Sequence, residues 1–315
     1  MRPALSVIFF TVVSGAGFGL WFLLGSALAV DVRALTRAQA LVLLATGAVA
    51  AAAGLMSSML HLGQPQRAWR ALSQWRSSWL SREGVASLAS FAPAALLGAE
   101  LWQGGDPAVV RTLAVALALL AAITVVCTAK IYTSLKTVQA WHNGYVLPGY
   151  LLFGALAGTC LSKALLAPGG NGTLARVVLP ALMLALAAAA ALLKLVYWRH
   201  IDAARHPATP ESATGLGRHG HVMSAERPHT EENYLTHEFG FALARKHAAR
   251  LRGICLVLLG GVAVLALVAW VAPAAGTITT IGATVAAIAA GFVERWLFFA
   301  EARHVVMLFY GAERA

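Results

Sequence analysis

Residues 110–133 read VRTLAVALALLAAITVVCTAKIYT. Arg111 and Lys130 are the charged residues in this run, and both sit toward its ends. A hydrocarbon core about 30 Å thick needs roughly 20 mostly apolar residues of helix, so the run is long enough to cross a membrane. The alternation of apolar and polar residues that marks a barrel strand is absent. Runs of the same kind recur along the chain at about 4–29, 39–62, 84–103, 147–166, 177–198, 251–273 and 277–300.

Composition agrees with this reading. Of 315 residues, 59% are hydrophobic and 12% charged, and the mean hydropathy is +0.72. These values exclude a soluble globular domain. The expected fold class is all-α: a polytopic membrane protein forming a single eight-helix transmembrane domain over residues 1–315. Ala, Leu, Gly and Val dominate the runs, the composition of helices that pack closely on small residues. The first run follows a lone Arg2 and lacks the short apolar core and small-residue cleavage site of a signal peptide, so it is expected to be retained. Cys127, Cys160 and Cys255 lie far apart in apolar runs, without a CxxC pair. Neither an iron–sulfur cluster nor a zinc ribbon is expected, and no metal.

A formal net charge of +11 would suggest a nucleic-acid partner in a soluble chain. Its distribution points elsewhere. With the N-terminal side of the membrane called side A, only Arg33, Arg37, Arg111, Lys163 and Arg176 of the 24 Lys and Arg fall on side B. Positive charge near helix ends marks the cytoplasm, so both termini are expected inside. No nucleic acid is expected. The 10 His and 6 Tyr also fall on side A, which suggests a docked partner there. The longest connection, 199–250, opens with Pro207, Pro210, Gly215, Gly217 and Gly220 and reads as irregular chain. From Thr230, a capping residue followed by Glu231 and Glu232, it reads as a helix that either docks a partner or lies in the interface.

The second connection concentrates the chemistry: SSMLHLGQPQRAWRALSQWRSSWLSRE, residues 57–83. His61 ends an apolar run, and Gly63 and Pro65 stop it. Arg67, Arg70, Arg76 and Arg82 follow, interleaved with Trp69, Trp75 and Trp79. The tryptophans read as interfacial anchors along a short surface helix. Ionisable residues at a membrane boundary are functional suspects. A neutral His61 imidazole can donate a hydrogen bond and exchange a proton near neutral pH, which a quinone head group requires. Arg67 can hold developing negative charge, and Glu83 can relay a proton or orient His61. An interfacial histidine with no chemistry is the other reading. Arg70, Arg76 and Arg82, with Arg245 and Lys246 in the long connection, are candidates for partner docking.

The segments SMLHLGQPQRAW, LSREG, KIYTSL around Tyr132 and the tail RWLFFAEARHVVMLFYG resemble the DmsC family over the whole chain. These are anchor subunits of molybdopterin oxidoreductases, related more distantly to the NrfD and PsrC anchors. The resemblance implies an eight-helix anchor in the bacterial inner membrane, without haem or metal. It implies electron passage between a quinone (ubiquinone or menaquinone) and a four-cluster, ferredoxin-like iron–sulfur subunit that serves a molybdopterin catalytic subunit. Quinol binding in the family carries over to His61, Arg67 and Glu83, with His61 and Glu83 as the catalytic pair, and a family tyrosine matches Tyr132. The isolated chain is expected to be inactive.

The chain departs from DMSO reductase anchors in topology, because its charge puts the N-terminus and the His61 face inside. PHTEENYL and GFALARKHAARLR in the long connection are similar to SoeC-type anchors of cytoplasmic sulfite dehydrogenases, which implies electron flow from sulfite to quinone. A quinol-oxidising anchor of the DMSO reductase type is the alternative. From other classes, a secondary transporter and a purely structural anchor compete. Against transport, Glu100, Lys130, Lys194, Glu294 and Arg295 lie toward the ends of the runs rather than at the midplane. Proton pumping is not expected.

Overall fold

The computed structural model describes residues 4–166, 172–203, 208–223, 226, 247–272 and 275–313, with the backbone but not the side chain of His61. Eight helices are long and apolar enough to cross a membrane. They are α1 (Leu5–Val30), α2 (Arg37–Ser58), α3 (Trp79–Gln103), α4 (Pro107–Thr133), α5 (Val146–Leu166), α6 (Leu179–Asp202), α7 (Ala248–Val271) and α8 (Gly276–Ala300). No strand occurs among the described residues.

The expected runs and the helices differ at their ends, because capping chemistry rather than hydropathy sets a helix terminus. Thr36 and Gln39 form a reciprocal capping box that starts α2 at Arg37. The Ser78 hydroxyl accepts the Ser81 N–H, so α3 starts at Trp79, ahead of the apolar run at 84. Asp106 caps α4, with Pro107 in its first turn. A turn of π-helix, Leu174–Val178, leads into α6, which continues past its apolar run to Asp202. Past Ser58, the chain tightens into a 3-10 turn, Met59–His61, so His61 lies just beyond α2 rather than in it.

The helices form two closed rings of four. In the first, α1 packs on α2, α2 on α3, α3 on α4 and α4 back on α1; the second repeats this with α5, α6, α7 and α8. The rings meet chiefly along α1 and α5. That seam is made of glycine: a Cβ on Gly19 would land on the Gly154 carbonyl, and one on Gly158 on the Gly19 backbone. Without interhelical water to expel, membrane helices gain by close backbone packing, and small residues permit it. Within the first ring, the Trp21 indole donates to the Leu44 carbonyl at 3.0 Å.

Side A is covered by the α4–α5 connection and the C-terminal tail. The Trp141 indole donates to the Phe298 carbonyl (2.9 Å), Tyr197 Oη to the Ala140 carbonyl (3.1 Å), and the Val305 N–H to the Thr137 carbonyl (3.2 Å). Arg252, at the start of α7, forks onto Asp202 at 2.5 and 2.9 Å and reaches Glu301 at 2.8 Å, tying the ends of α6, α7 and α8. In the long connection, a single turn at Pro210–Thr214 is followed by a 3-10 turn at Leu216–His219. Glu211 accepts the Val222 N–H (3.0 Å), the main reason its carboxyl is held down at about 2. The helix expected from Thr230 lies outside the described residues.

Candidate functional site

After the turn at His61, Gly63 and Gln64 lead to Pro65, which opens a 3-10 helix at Pro65–Gln74. With three residues per turn, this helix sets its side chains in straight rows. Arg67 and Arg70 share one row, and Trp69 and Leu72 the next, with Trp75 following the end of the helix. The expected surface helix is thus shorter than the tryptophan pattern suggested, and Trp79 belongs to α3. Trp69 and Trp75 are exposed in the protein alone, as interfacial anchors would be. Leu72 turns toward α3, where Gly84 leaves room for it.

The four arginines divide. Arg67, Arg70 and Arg76 are exposed and take part in no ion pair among the described residues. Arg82 folds back instead: Nε donates to the Trp75 carbonyl (3.0 Å), Nη2 to the Arg76 carbonyl (2.7 Å), and the guanidinium lies 4.3 Å from the Trp79 ring centre. It clamps the entry to α3. Arg245 and Lys246 lie outside the described residues.

Glu83 follows on the buried face of α3, only 4% exposed. Thr128 on α4 donates its hydroxyl to Glu83 Oε1. Tyr132, one turn along α4 from Thr128, is partly buried among aromatic rings. It stacks on Tyr150 (centroids 5.8 Å apart) and meets Trp141, Phe298 and Phe299 edge-on at 5.2, 5.3 and 5.5 Å. The structure therefore sets Tyr132 one turn along α4 from the threonine that bonds Glu83, places His61 at the end of its turn, and leaves Arg67 on the exposed 3-10 helix.

A second polar cluster lies beyond Tyr150, and the sequence reading passed over it as helix-end charge. Lys194 Nζ on α6 is 2.8 Å from Glu294 Oε1 on α8, and Arg295 Nε pairs with Glu294 Oε2. The three are buried, and Arg295 lies 3.8 Å from the Tyr150 ring centre. Ionisable residues inside apolar runs are the signal that marks such a cluster, because their burial needs partners. On side A, His142 Nδ1 approaches the Thr133 carbonyl at 2.6 Å. Beyond the spans, burial raises the Glu301 carboxyl against the opposing pull of Arg252, and burial lowers His304. Among the described residues no three His, Cys, Asp or Glu converge to hold a metal ion.

Comparison with known proteins matches residues 1–312 to the family of DMSO reductase anchor subunits, DmsC. The chain belongs to the DmsC family. It is 34% identical to the C subunit of sulfite dehydrogenase from Allochromatium vinosum, over 98% of its own length and 99% of that protein. It is 30% identical to the C chain of anaerobic dimethyl sulfoxide reductase from Escherichia coli, over 41% of its own length and 45% of that protein. The YnfH chain of anaerobic dimethyl sulfoxide reductase from the same organism matches at 30%, over 36% and 40%. As a DmsC-family protein, the chain is a membrane anchor subunit of an oxidoreductase complex, built from eight transmembrane helices.

Proposed function

We propose that this chain is the quinone-reactive anchor of a three-subunit molybdopterin oxidoreductase. It passes electrons between a docked iron–sulfur subunit and the membrane quinone pool. The direction proposed is from sulfite to quinone, because similarity to the C subunit of a sulfite dehydrogenase runs nearly end to end, whereas the dimethyl sulfoxide reductase proteins match over less than half. Quinol oxidation for a DMSO-reductase-type enzyme is the reverse reading.

The observation that carries the proposal is Glu83: a carboxyl buried at the side-A end of α3 and bonded through one oxygen by Thr128, with Tyr132 one turn further along α4. These groups suit a quinone head group, which needs hydrogen-bond donors at its carbonyls, protons on reduction and an apolar wall for its ring. Quinone supplies the two-electron, two-proton chemistry. Glu83 holds a proton at its carboxylate and releases it; Tyr132 donates a hydrogen bond and, with Trp141 and the two phenylalanines, offers an aromatic wall. His61 is the second donor, and Arg67 stabilises negative charge from the 3-10 helix. Arg70 and Arg76 present docking charge toward the iron–sulfur subunit, on a face assigned to the cytoplasm by the sidedness of Lys and Arg.

The test uses the assembled complex in membranes. His61→Ala and Glu83→Gln are expected to lower quinone-linked turnover by about 10²-fold or more, with turnover to an artificial dye at the catalytic subunit retained. Wild-type quinone turnover in both variants defeats the reading. Protease access to residues 208–223 from the inner face of oriented vesicles checks the topology; cleavage from the outer face reverses it.

A further inference from the structure

Tyr150, near the side-A end of α5, and Arg295, against its ring, each carry a fully enclosed donor that meets no acceptor in good geometry among the described residues: Tyr150 Oη and Arg295 Nη1. A buried donor without a partner is costly, so such groups call for a bound acceptor. Both residues line a cleft of about 330 Å³ between α1, α5 and α8, together with Thr11, Gly15 and Gly291. Thr11 Oγ1 donates to the Val7 and Ile8 carbonyls (3.0 and 3.1 Å), so its lone pairs remain to accept. The enclosed part has room for about one water molecule and not for a ring, and water needs two to four polar partners. Tyr150, Arg295 and Thr11 supply three.

The cluster also faces the other way. Lys194, Glu294 and Arg295 line a second cleft, of about 220 Å³, between α5, α6 and α8, which runs up to Tyr145 and Val146 at the side-A end of α5. Arg295 borders both clefts. The titratable groups around the cluster are Tyr132 on α4, Tyr150 on α5, Tyr197 on α6 and Cys255 on α7, with the Arg252–Glu301 pair beyond Lys194 and Tyr197 and, through Thr128, Glu83 one turn from Tyr132. With Lys194 and Arg295 cationic and Glu294 anionic, the three together carry one surplus positive charge. A guanidinium does not deprotonate, so Lys194 is the member able to give up a proton and regain it.

We infer that water bound by Tyr150, Arg295 and Thr11 completes a proton route from side A, through the Lys194–Glu294–Arg295 cluster and Tyr150, to Tyr132 and Glu83. The inference rests on the quinone reading. One quinone takes two electrons from the docked iron–sulfur subunit and two protons from side A, giving one quinol. The route refills Glu83 after each proton it gives. Both ends of the route open on the same face, so no charge crosses the membrane.

The test is Tyr150→Phe and Lys194→Met in the assembled complex, assayed with a short-chain quinone in H2O and D2O. The first variant removes only a hydroxyl; the second keeps the Glu294–Arg295 pair. Expected are an about tenfold or greater loss of quinone-linked turnover and a larger solvent isotope effect in each variant. Quinone KM and reduction of the iron–sulfur clusters by substrate are expected to match wild type, which a loss of packing would not leave intact. Wild-type turnover and isotope effect in both variants overturn the route alone, as does a dry cleft at Tyr150 in a high-resolution map of the complex. A wild-type complex that reduces a dye but never quinone overturns the quinone reading, and the route with it.

Discussion

Thr128 Oγ1 on α4 donates to Glu83 Oε1 on α3, joining residues 45 positions apart across the first ring. This hydrogen bond is the partner that lets a carboxyl sit in the bilayer. Thr128→Val keeps the shape and deletes the donor, leaving the carboxyl unsatisfied. The expected cost is about 1–3 kcal/mol, read as a lower thermal midpoint of the solubilised complex, with quinone-linked turnover reduced. Thr128→Ser restores both. A Val variant as stable as wild type would show that Glu83 does not depend on this bond.

The seam between the two rings sets a second expectation. A methyl on Gly19 meets the Gly154 carbonyl, and backbone does not yield as a flexible side chain does. Gly19→Ala is expected to cost at least about 1–3 kcal/mol and to lower the amount of complex recovered from membranes. Gly260→Ala on α7 meets nothing within 4 Å and serves as the control. Equal recovery of the two variants would contradict the seam.

The spans and their number were legible because a bilayer demands long apolar helices, and nothing in tertiary packing alters that demand. The position of Glu83 was legible too, as an acid at the mouth of an apolar run, though its burial against Thr128 was not. Helix starts were less so: Ser78 and Thr36 act through short-range hydrogen bonds that a hydropathy window averages away. Lys194 and Glu294, 100 residues apart, were each read as charge near a helix end. Only the closing of the second ring shows that they face each other. The inward turn of Arg82 was equally hidden, since one arginine among four looks like its neighbours until the chain reverses at Trp75.

Arg82 thus separates from Arg70 and Arg76, for which docking is proposed. It bridges the Trp75 and Arg76 carbonyls over the Trp79 ring. Arg82→Ala should free the entry to α3, seen as faster proteolysis within residues 65–78, and Arg82→Lys should not rescue it because a single ammonium lacks the planar fork. Arg70→Ala should leave proteolysis unchanged and weaken association with the iron–sulfur subunit. Identical behaviour of the two alanine variants would argue against this division.

The tail offers a pH dependence. His304 Nδ1 accepts the Val306 N–H at 3.0 Å, which requires an unprotonated Nδ1, and burial lowers its proton affinity. The unfolded state therefore binds a proton more readily than the folded one. The contribution to stability is complete above the ordinary histidine value of about 6.5 and is lost as pH falls through the folded value. Hydrogen exchange at Val306 and Met307, corrected for intrinsic rates, should quicken between about pH 7.5 and 5.5. His304→Gln should abolish the pH dependence. A tail equally protected across that range would rule the switch out.

Glu294 decides whether the buried cluster holds as a unit. Its two oxygens pair with Lys194 and Arg295, so Glu294→Gln leaves two cations facing each other out of water. Breaking a buried pair from one side typically costs about 3–5 kcal/mol, and this variant also creates a like-charge contact. Lys194→Met removes one cation, leaves Glu294 paired with Arg295, and fills similar volume, so its cost should be at least about 2 kcal/mol smaller. The order should appear in the amount of complex assembled in membranes and in its thermal midpoint, with Glu294→Gln well below Lys194→Met. If the glutamine variant equalled or exceeded the methionine variant, the carboxylate would not be what holds the two cations inside the second ring.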